Sequence, residues 1–181
     1  QTEKDNAMSN SKHYKKEEIP YVTQLFTPDW IVKYMVENSL GRFYIEHGGN
    51  VELVNKWKYY VNSNIEKKNI VNLKDLKIID PCCGSGHILV YIFDVLYDIY
   101  LAEGYNRTDI SELILTNNIF GLDIDDRAGQ LAILSLLLKA REYDKKLFSK
   151  SICLNMNVMA LQEPSIDLYN VSNDLLITDD I

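Results

Sequence analysis

Two short apolar runs, each closing on an acid and each followed by helical periodicity, predict an α/β fold with parallel strands. The first is Leu76–Ile79, which passes through Asp80-Pro81-Cys82-Cys83 to Gly84-Ser85-Gly86. Ile88, Ile92, Val95, Leu96 and Ile99 then follow at helical spacing. The second is Ile119-Phe120, continued by Gly121-Leu122-Asp123-Ile124-Asp125 and a helix pattern through Ala128, Leu131, Ala132, Ser135 and Leu138. A third run, Ser151–Leu154, reads as another strand. Strand, turn and crossover helix in repetition build a parallel sheet.

Residues 1–75 read as an N-terminal arm and helical segment, and 76–181 as the sheet-bearing part. The arm, Gln1 to Glu18, is polar and mixes Lys12, Lys15 and Lys16 with Glu17 and Glu18, so DNA contact there is left open. Gln24-Leu25-Phe26-Thr27-Pro28 opens a helix, with Thr27 as N-cap and Pro28 as its first residue, where a missing N–H costs nothing. Trp30, Ile31, Tyr34 and Met35 give that helix an apolar stripe, and Gly41 is its expected stop. After Gly48-Gly49, the residues Leu53, Val54, Trp57, Tyr60 and Val61 have helical spacing and are expected to pack on the domain, ahead of an Asn- and Lys-rich loop. Past the glycine turn, Gly104 ends the long helix, and a short helix over Asp109–Leu115 has Thr108 available as its cap.

The turn at Asp80–Gly86 carries the chemistry. Gly84 and Gly86 lack a Cβ that would block close backbone approach, and the helix that follows points free N–H groups and a positive dipole end at its ligand. Without a Gly-Lys-Ser/Thr ending the turn is no nucleoside triphosphate loop, and Leu89 breaks the G-x-G-x-x-G dinucleotide pattern. At the end of the next strand Asp123 suits a pair of ribose hydroxyls, while Asp125 is read as a helix cap and Asp126 as a first-turn acid. Asp80 and Asp123 stand about twice as far apart as the ~20 residues of the dinucleotide unit, the excess being the short extra helix.

Asp80-Pro81 with Cys83-Gly84-Ser85-Gly86 resembles the S-adenosylmethionine loop of amino-group DNA methyltransferases, the adenine-N6 methylases of restriction and phage-defence systems. Phe26-Thr27-Pro28 upstream and Gly121-Leu122-Asp123-Ile124-Asp125 downstream stand in the order of that family, so the resemblance spans Tyr21 to Tyr143. The wording is nearest the large BREX (PglX-type) enzymes, with type I and IIG methylases as neighbours. The resemblance implies a Rossmann-like S-adenosylmethionine-dependent fold with an N-terminal helical extension, in which Phe26 and Thr27 close over the methionine end. It places Asp80, Pro81, Gly84, Ser85 and Gly86 in the cofactor loop and Asp123 and Ile124 at the ribose side. Asn155–Val158 occupies the place of an adenine contact, for which Asn157 is the candidate beside its reading as a turn residue.

The same family carries Asn-Pro-Pro-Tyr after its fourth strand, to accept hydrogen bonds from the target amino group and to stack on the flipped base. No Asn-Pro or Pro-Pro pair occurs here, and Leu175 to Asp180 offers neither a proline turn nor an aromatic platform. The expectation is a domain incomplete at its C-terminal side, with no catalytic residue in this chain. Methyltransferases acting on protein or RNA, and a non-catalytic module of a defence complex, are the alternatives. A net charge of −7 and pI ≈ 5.0 argue against a self-sufficient duplex-binding face, so DNA and other defence-system subunits would be met mostly through other parts of the protein. No metal site or disulfide framework is expected from adjacent Cys82 and Cys83 with a distant Cys153, and Cys83 is expected to pack as a small hydrophobe. Neither a signal peptide nor a membrane span is evident, which places the expected site of action in the cytoplasm.

Overall fold

The computed structural model describes residues 26–62, 68–149 and 154–161. Its sheet holds three parallel strands in the order β1-β2-β3: β1 is Ile78–Asp80, β2 is Ile119–Asp123 and β3 is Asn157–Ala160. Asp80 pairs with Gly121, and Asp123 with Ala160, so all three carboxyl ends emerge along one edge.

The third strand lies later than expected. Leu154 is irregular, residues 151–153 fall outside the described residues, and pairing with β2 begins at Asn157. Alternation decides the choice, because Val158 turns inward against the Gly121 backbone while Met159 is exposed.

Four helices accompany the sheet among the described residues, and two of them, His87–Ala102 and Asp126–Tyr143, pack directly on its strands. Helix α2, His87–Ala102, is apolar nearly all round and buries Leu89, Ile92, Phe93, Leu96, Ile99 and Tyr100. Burial on the scale of Phe93 or Leu96 stabilises by roughly 1.5–3 kcal/mol per side chain. Gly104, at φ 81, takes the left-handed position that ends this helix, as its sequence predicts. The short α3, Arg107–Leu113, starts two residues earlier than expected, after Asn106 rather than Thr108, and widens into a π turn, Ile114–Asn118.

Helix α4, Asp126–Tyr143, is capped as expected by Asp125, whose side chain accepts from the Arg127 N–H. Its buried face differs from the expected one. Gly129, Ala132, Leu136 and Ala140 face inward, whereas Leu131 and Leu138 stay about half exposed. At Ala132 a small residue is needed because α4 approaches the glycine loop closely: an added Cβ on Gly86 would stand 2.9 Å from Ala132 Cα.

Helix α1 has three segments: α-helical Asp29–Val36, a π turn Glu37–Gly41 and α-helical Arg42–Glu46. Pro28 is the cap and not the first helical residue; its φ of −55 and ψ of 142 are extended, and no side-chain cap bond is made. Thr27 is therefore not the cap: with Pro28 itself extended, the helix begins at Asp29 and Thr27 lies one residue outside the cap position. Gly41 does not stop the helix either. It sits within it, and an added Cβ there would meet the Trp57 ring at 2.9 Å. Val32, Val36 and Leu40 form the buried stripe, while Trp30, Tyr34 and Met35 face outward. Leu53 and Trp57 enter the same core as α2, the former from a 3-10 turn over Val51–Lys56.

Beneath the sheet's amino end, Asn118 is fully buried and closed on all sides. Its amide donates to the carbonyls of Leu73 (2.7 Å) and Leu76 (2.8 Å), and its oxygen accepts from the Tyr100 hydroxyl (2.9 Å).

Candidate functional site

At the carboxyl edge the chain leaves β1 and folds back over the end of β2. Cys83 N–H donates to the Leu122 carbonyl (2.9 Å), Gly84 N–H to Asp123 Oδ2 (2.8 Å) and Gly86 N–H to the Cys83 carbonyl (2.8 Å). Asp123 Oδ1 accepts from Asp125 N–H (2.9 Å), and Asp80 Oδ1 from Cys82 N–H (3.1 Å). The glycine loop and the acid of the next strand are thus one hydrogen-bonded unit, which no linear motif announces.

The two loop glycines serve different ends. Gly86, at φ 83, precedes α2 and is pressed against Ala132, so packing and backbone conformation both exclude a side chain. Gly84, at φ 52, has no atom of the described residues within 4 Å of where a Cβ would stand. Protein packing therefore does not account for Gly84, and the space above it is open to a ligand.

Asp80 Oδ2 is buried and has no hydrogen-bond partner among the described residues. An unsatisfied acceptor of this kind costs on the order of 1–3 kcal/mol, more when charged, so it is a group that a ligand donor would relieve. The local field is negative. Burial first, and then the charges of Asp80 and Asp123, push the Cys83 thiol up to about 11. The amides opening α2 suit an anion, whereas the two carboxylates beside them suit cationic and hydroxyl-bearing groups. A ligand with both features fits the loop better than a bare phosphate.

Other expected site residues are placed as follows. Pro81 is exposed and carries the chain out of β1, and Ser85 is half-buried within the loop. Ile124, 85% exposed, stands directly beyond Asp123. Phe26, itself exposed, lines a groove of about 390 Å³ with Ser85, His87 and Val90 on one side and Ser135 and Leu138 of α4 on the other. That groove brings the Phe-Thr-Pro element to the glycine loop, although neither Asp80 nor Asp123 lines it. Thr27 is half-buried; Gln24 and Leu25 lie outside the described residues, as do the arm to Glu18, Cys153 and the stretch from Leu175 to Asp180.

Asn157 is a correction. It is the first residue of β3, level with Phe120 and three rungs back from the strand's last residue, and its amide donates to the carbonyls of Thr116 (2.9 Å) and Leu115 (3.4 Å). It belongs to the wall of the sheet and is not brought to the loop, because the strand begins where a turn was expected. Sequence reasoning also passed over Glu37 and Tyr91, which meet in the interior near the loop. Their only signal is an acid beside the apolar positions 36 and 40. Among the described residues no group of His, Cys, Asp and Glu could hold a metal ion, and no helix is long and apolar enough to cross a membrane.

Parallel strands, a glycine turn at their carboxyl edge and an acid on the neighbouring strand define an α/β domain of the kind that binds ligands at that edge. The chain belongs to the family of the MmeI DNA-methyltransferase domain, whose model matches residues 59–170. It is 40% identical over 171 residues to the adenine-specific methyltransferase BrxX of Escherichia coli O9:H4 (strain HS), a match covering 88% of this chain and 14% of that protein. With the adenine-specific methyltransferase PglX of Lacticaseibacillus casei (strain Zhang) it shares 38% identity over 190 residues, covering 94% of this chain and 15% of that protein. A putative type II restriction enzyme and methyltransferase of Methanocaldococcus jannaschii is 26% identical over 170 residues, 81% of this chain and 13% of its own length. The chain thus spans about one seventh of the length of the first two relatives. The fold is similar to that of a nuclease-deletion mutant of the Type ISP restriction-modification enzyme LlaGI, solved with a DNA substrate mimic. Its TM-score is 0.50 at 15% identity, over 87% of this chain and 12% of that one.

Proposed function

We propose that this chain is the S-adenosylmethionine-binding portion of a DNA adenine-N6 methyltransferase of a restriction or phage-defence system. The reading rests on the loop geometry: among the described residues, a buried Asp80 oxygen has no partner, the Asp123 carboxylate is tied to the Gly84 amide, and the space at Gly84 is open. The three-stranded sheet is taken as the first half of a Rossmann-like fold, with residues 1–75 as its helical extension and the fold completed beyond β3.

Each loop residue then has a task. Asp80 Oδ2 accepts from the cofactor's ammonium, and the Asp123 carboxylate, oriented by the Gly84 and Asp125 amides, accepts from ribose hydroxyls. Gly84 lets backbone approach the ligand, while Pro81, Ser85 and Gly86 shape the turn and aim the first amides of α2 at its carboxylate. Exposed Ile124 supplies an apolar cover for the purine, and Phe26 and Thr27 close the methionine end. When bound, S-adenosylmethionine supplies a methyl group activated by a sulfonium. The Asn-Pro-Pro-Tyr element that handles the acceptor in the methylases this sequence resembles is not among its residues. Methyl transfer, and most of the contact with DNA and partner subunits in the cytoplasm, are therefore assigned to the enzyme as a whole.

Isothermal calorimetry tests the reading. Titration with S-adenosylmethionine is expected to show saturable binding that Gly84→Asp abolishes, since a carboxylate there fills the open space, while circular dichroism stays that of the folded chain. Absence of binding by the folded chain, or binding unchanged in Gly84→Asp, would sink it.

A further inference from the structure

We propose that Glu37 and Tyr91 are positioning residues, forming a buried hub that sets where the amino end of α1, with Phe26 and Thr27, stands against the glycine loop. This rests on the reading of that loop as the S-adenosylmethionine cradle.

Glu37 is 1% exposed, and both of its oxygens are used. Oε1 accepts from the Tyr91 hydroxyl at 2.7 Å and Oε2 from the Tyr59 N–H at 2.5 Å. Burial first, and then the bond to Glu37, hold the Tyr91 phenol far above its usual range, so it remains the donor. The neighbouring Asn38 completes the joint: its amide donates to the carbonyls of Tyr34 and Tyr59, each at 2.8 Å, and its oxygen accepts from Val61 N–H at 2.8 Å. Two adjacent side chains thereby fasten the 59–61 segment to α1. They occupy the first two positions of the π turn, and Glu37 shares the buried face with Val36 and Leu40. The Lys33 ammonium lies 5.9 Å from the centre of the Tyr91 ring.

Such a joint is costly to build from a carboxylate, since a buried acid must have its donors supplied by the protein. Apolar packing of Val32 and Val36 against α2 would hold the helices together without it, but apolar contact is non-directional and leaves rotation and sliding weakly specified. Two directional acceptors remove that freedom. The hub's root on α2 is also informative: Tyr91 follows Val90, which lines the groove shared by Phe26, Ser85 and His87. One end of the joint is thus built into the loop's own helix, and the other lies on the helix that Phe26-Thr27-Pro28 opens. The geometry couples the methionine end of the proposed site, and not its ribose end, to Glu37.

The test uses Tyr91→Phe, which keeps the ring, and Glu37→Gln, each in the full chain, with S-adenosylmethionine and adenosine titrated in parallel. Both variants are expected to weaken S-adenosylmethionine about tenfold, the scale of one directional hydrogen bond, and to leave adenosine affinity unchanged. The double variant is expected to be no weaker than either single one, because the two residues act as a unit. Unchanged S-adenosylmethionine affinity in both variants, or equal weakening of both ligands, overturns the hub while leaving the cofactor reading intact. Failure of the unsubstituted chain to bind either ligand overturns the cofactor reading and the hub with it.

Discussion

The two ends of the sheet handle buried polar groups in opposite ways. At the amino end Asn118 gives and receives every bond within the chain, tying Leu73, Leu76 and Tyr100 together. At the carboxyl end Asp80 keeps a buried oxygen without a partner among the described residues, beside a glycine with nothing above it. A closed network stabilises one arrangement, whereas an open acceptor costs stability and leaves a valence for something else. Stability is concentrated at one end of the strands, and the proposed ligand chemistry lies at the other.

The largest effect is expected at the closed end. Asn118→Leu keeps the volume but leaves the Tyr100 hydroxyl and two carbonyls unsatisfied, and should lower the free energy of unfolding by roughly 3–5 kcal/mol in urea melts. Cofactor affinity of the folded fraction should be unchanged. A loss under about 1 kcal/mol would break the contrast between the ends. Next come the loop glycines. Gly86→Ala meets both the Ala132 backbone and an unfavourable φ, and should cost roughly 2–3 kcal/mol, while Gly84→Ala meets only the φ and should cost about 1 kcal/mol. If Gly84→Ala instead proves the more destabilising, the space above it is not open and the site reading weakens.

The smallest effect concerns adjacent cysteines and leaves stability alone. Cys82 is exposed, whereas Cys83 is buried with its thiol pushed up to about 11. Since the thiolate is the reactive form, iodoacetamide near neutral pH should modify Cys82 and spare Cys83, read by peptide mass mapping. Modification of Cys83 in the folded chain would show that the loop opens more readily than its bonds to Leu122 and Asp123 imply.

Much of this arrangement is legible along the chain. The glycine turn between β1 and α2, the Asp125 cap and the Gly104 stop all follow from side-chain chemistry acting within a few residues. The misplacements share a different cause. Gly41 reads as a stop because glycine ends helices, yet here it makes room for the Trp57 ring arriving from the following segment. Leu131 and Leu138 read as the core face of α4 together with Ala132, yet only Ala132 of the three is buried; Gly129, Leu136 and Ala140 complete that face, and Ala132 lies against Gly86 where a larger side chain has no room.

What the amino-acid order determined by itself is thus a set of local units: the first two strands and the long helices after them, the glycine turn between β1 and α2, and the acids at the ends of those strands. Only the tertiary structure decided that β3 starts at Asn157, that Asp123 closes onto Gly84, that Asp80 keeps one oxygen unpartnered among the described residues and that Glu37 reaches Tyr91. Caps, turns and periodicity depend on neighbours a few residues away. Strand register, the choice of buried face and the pairing of a buried acid depend on groups tens of residues distant, whose approach is set by packing and leaves no local pattern.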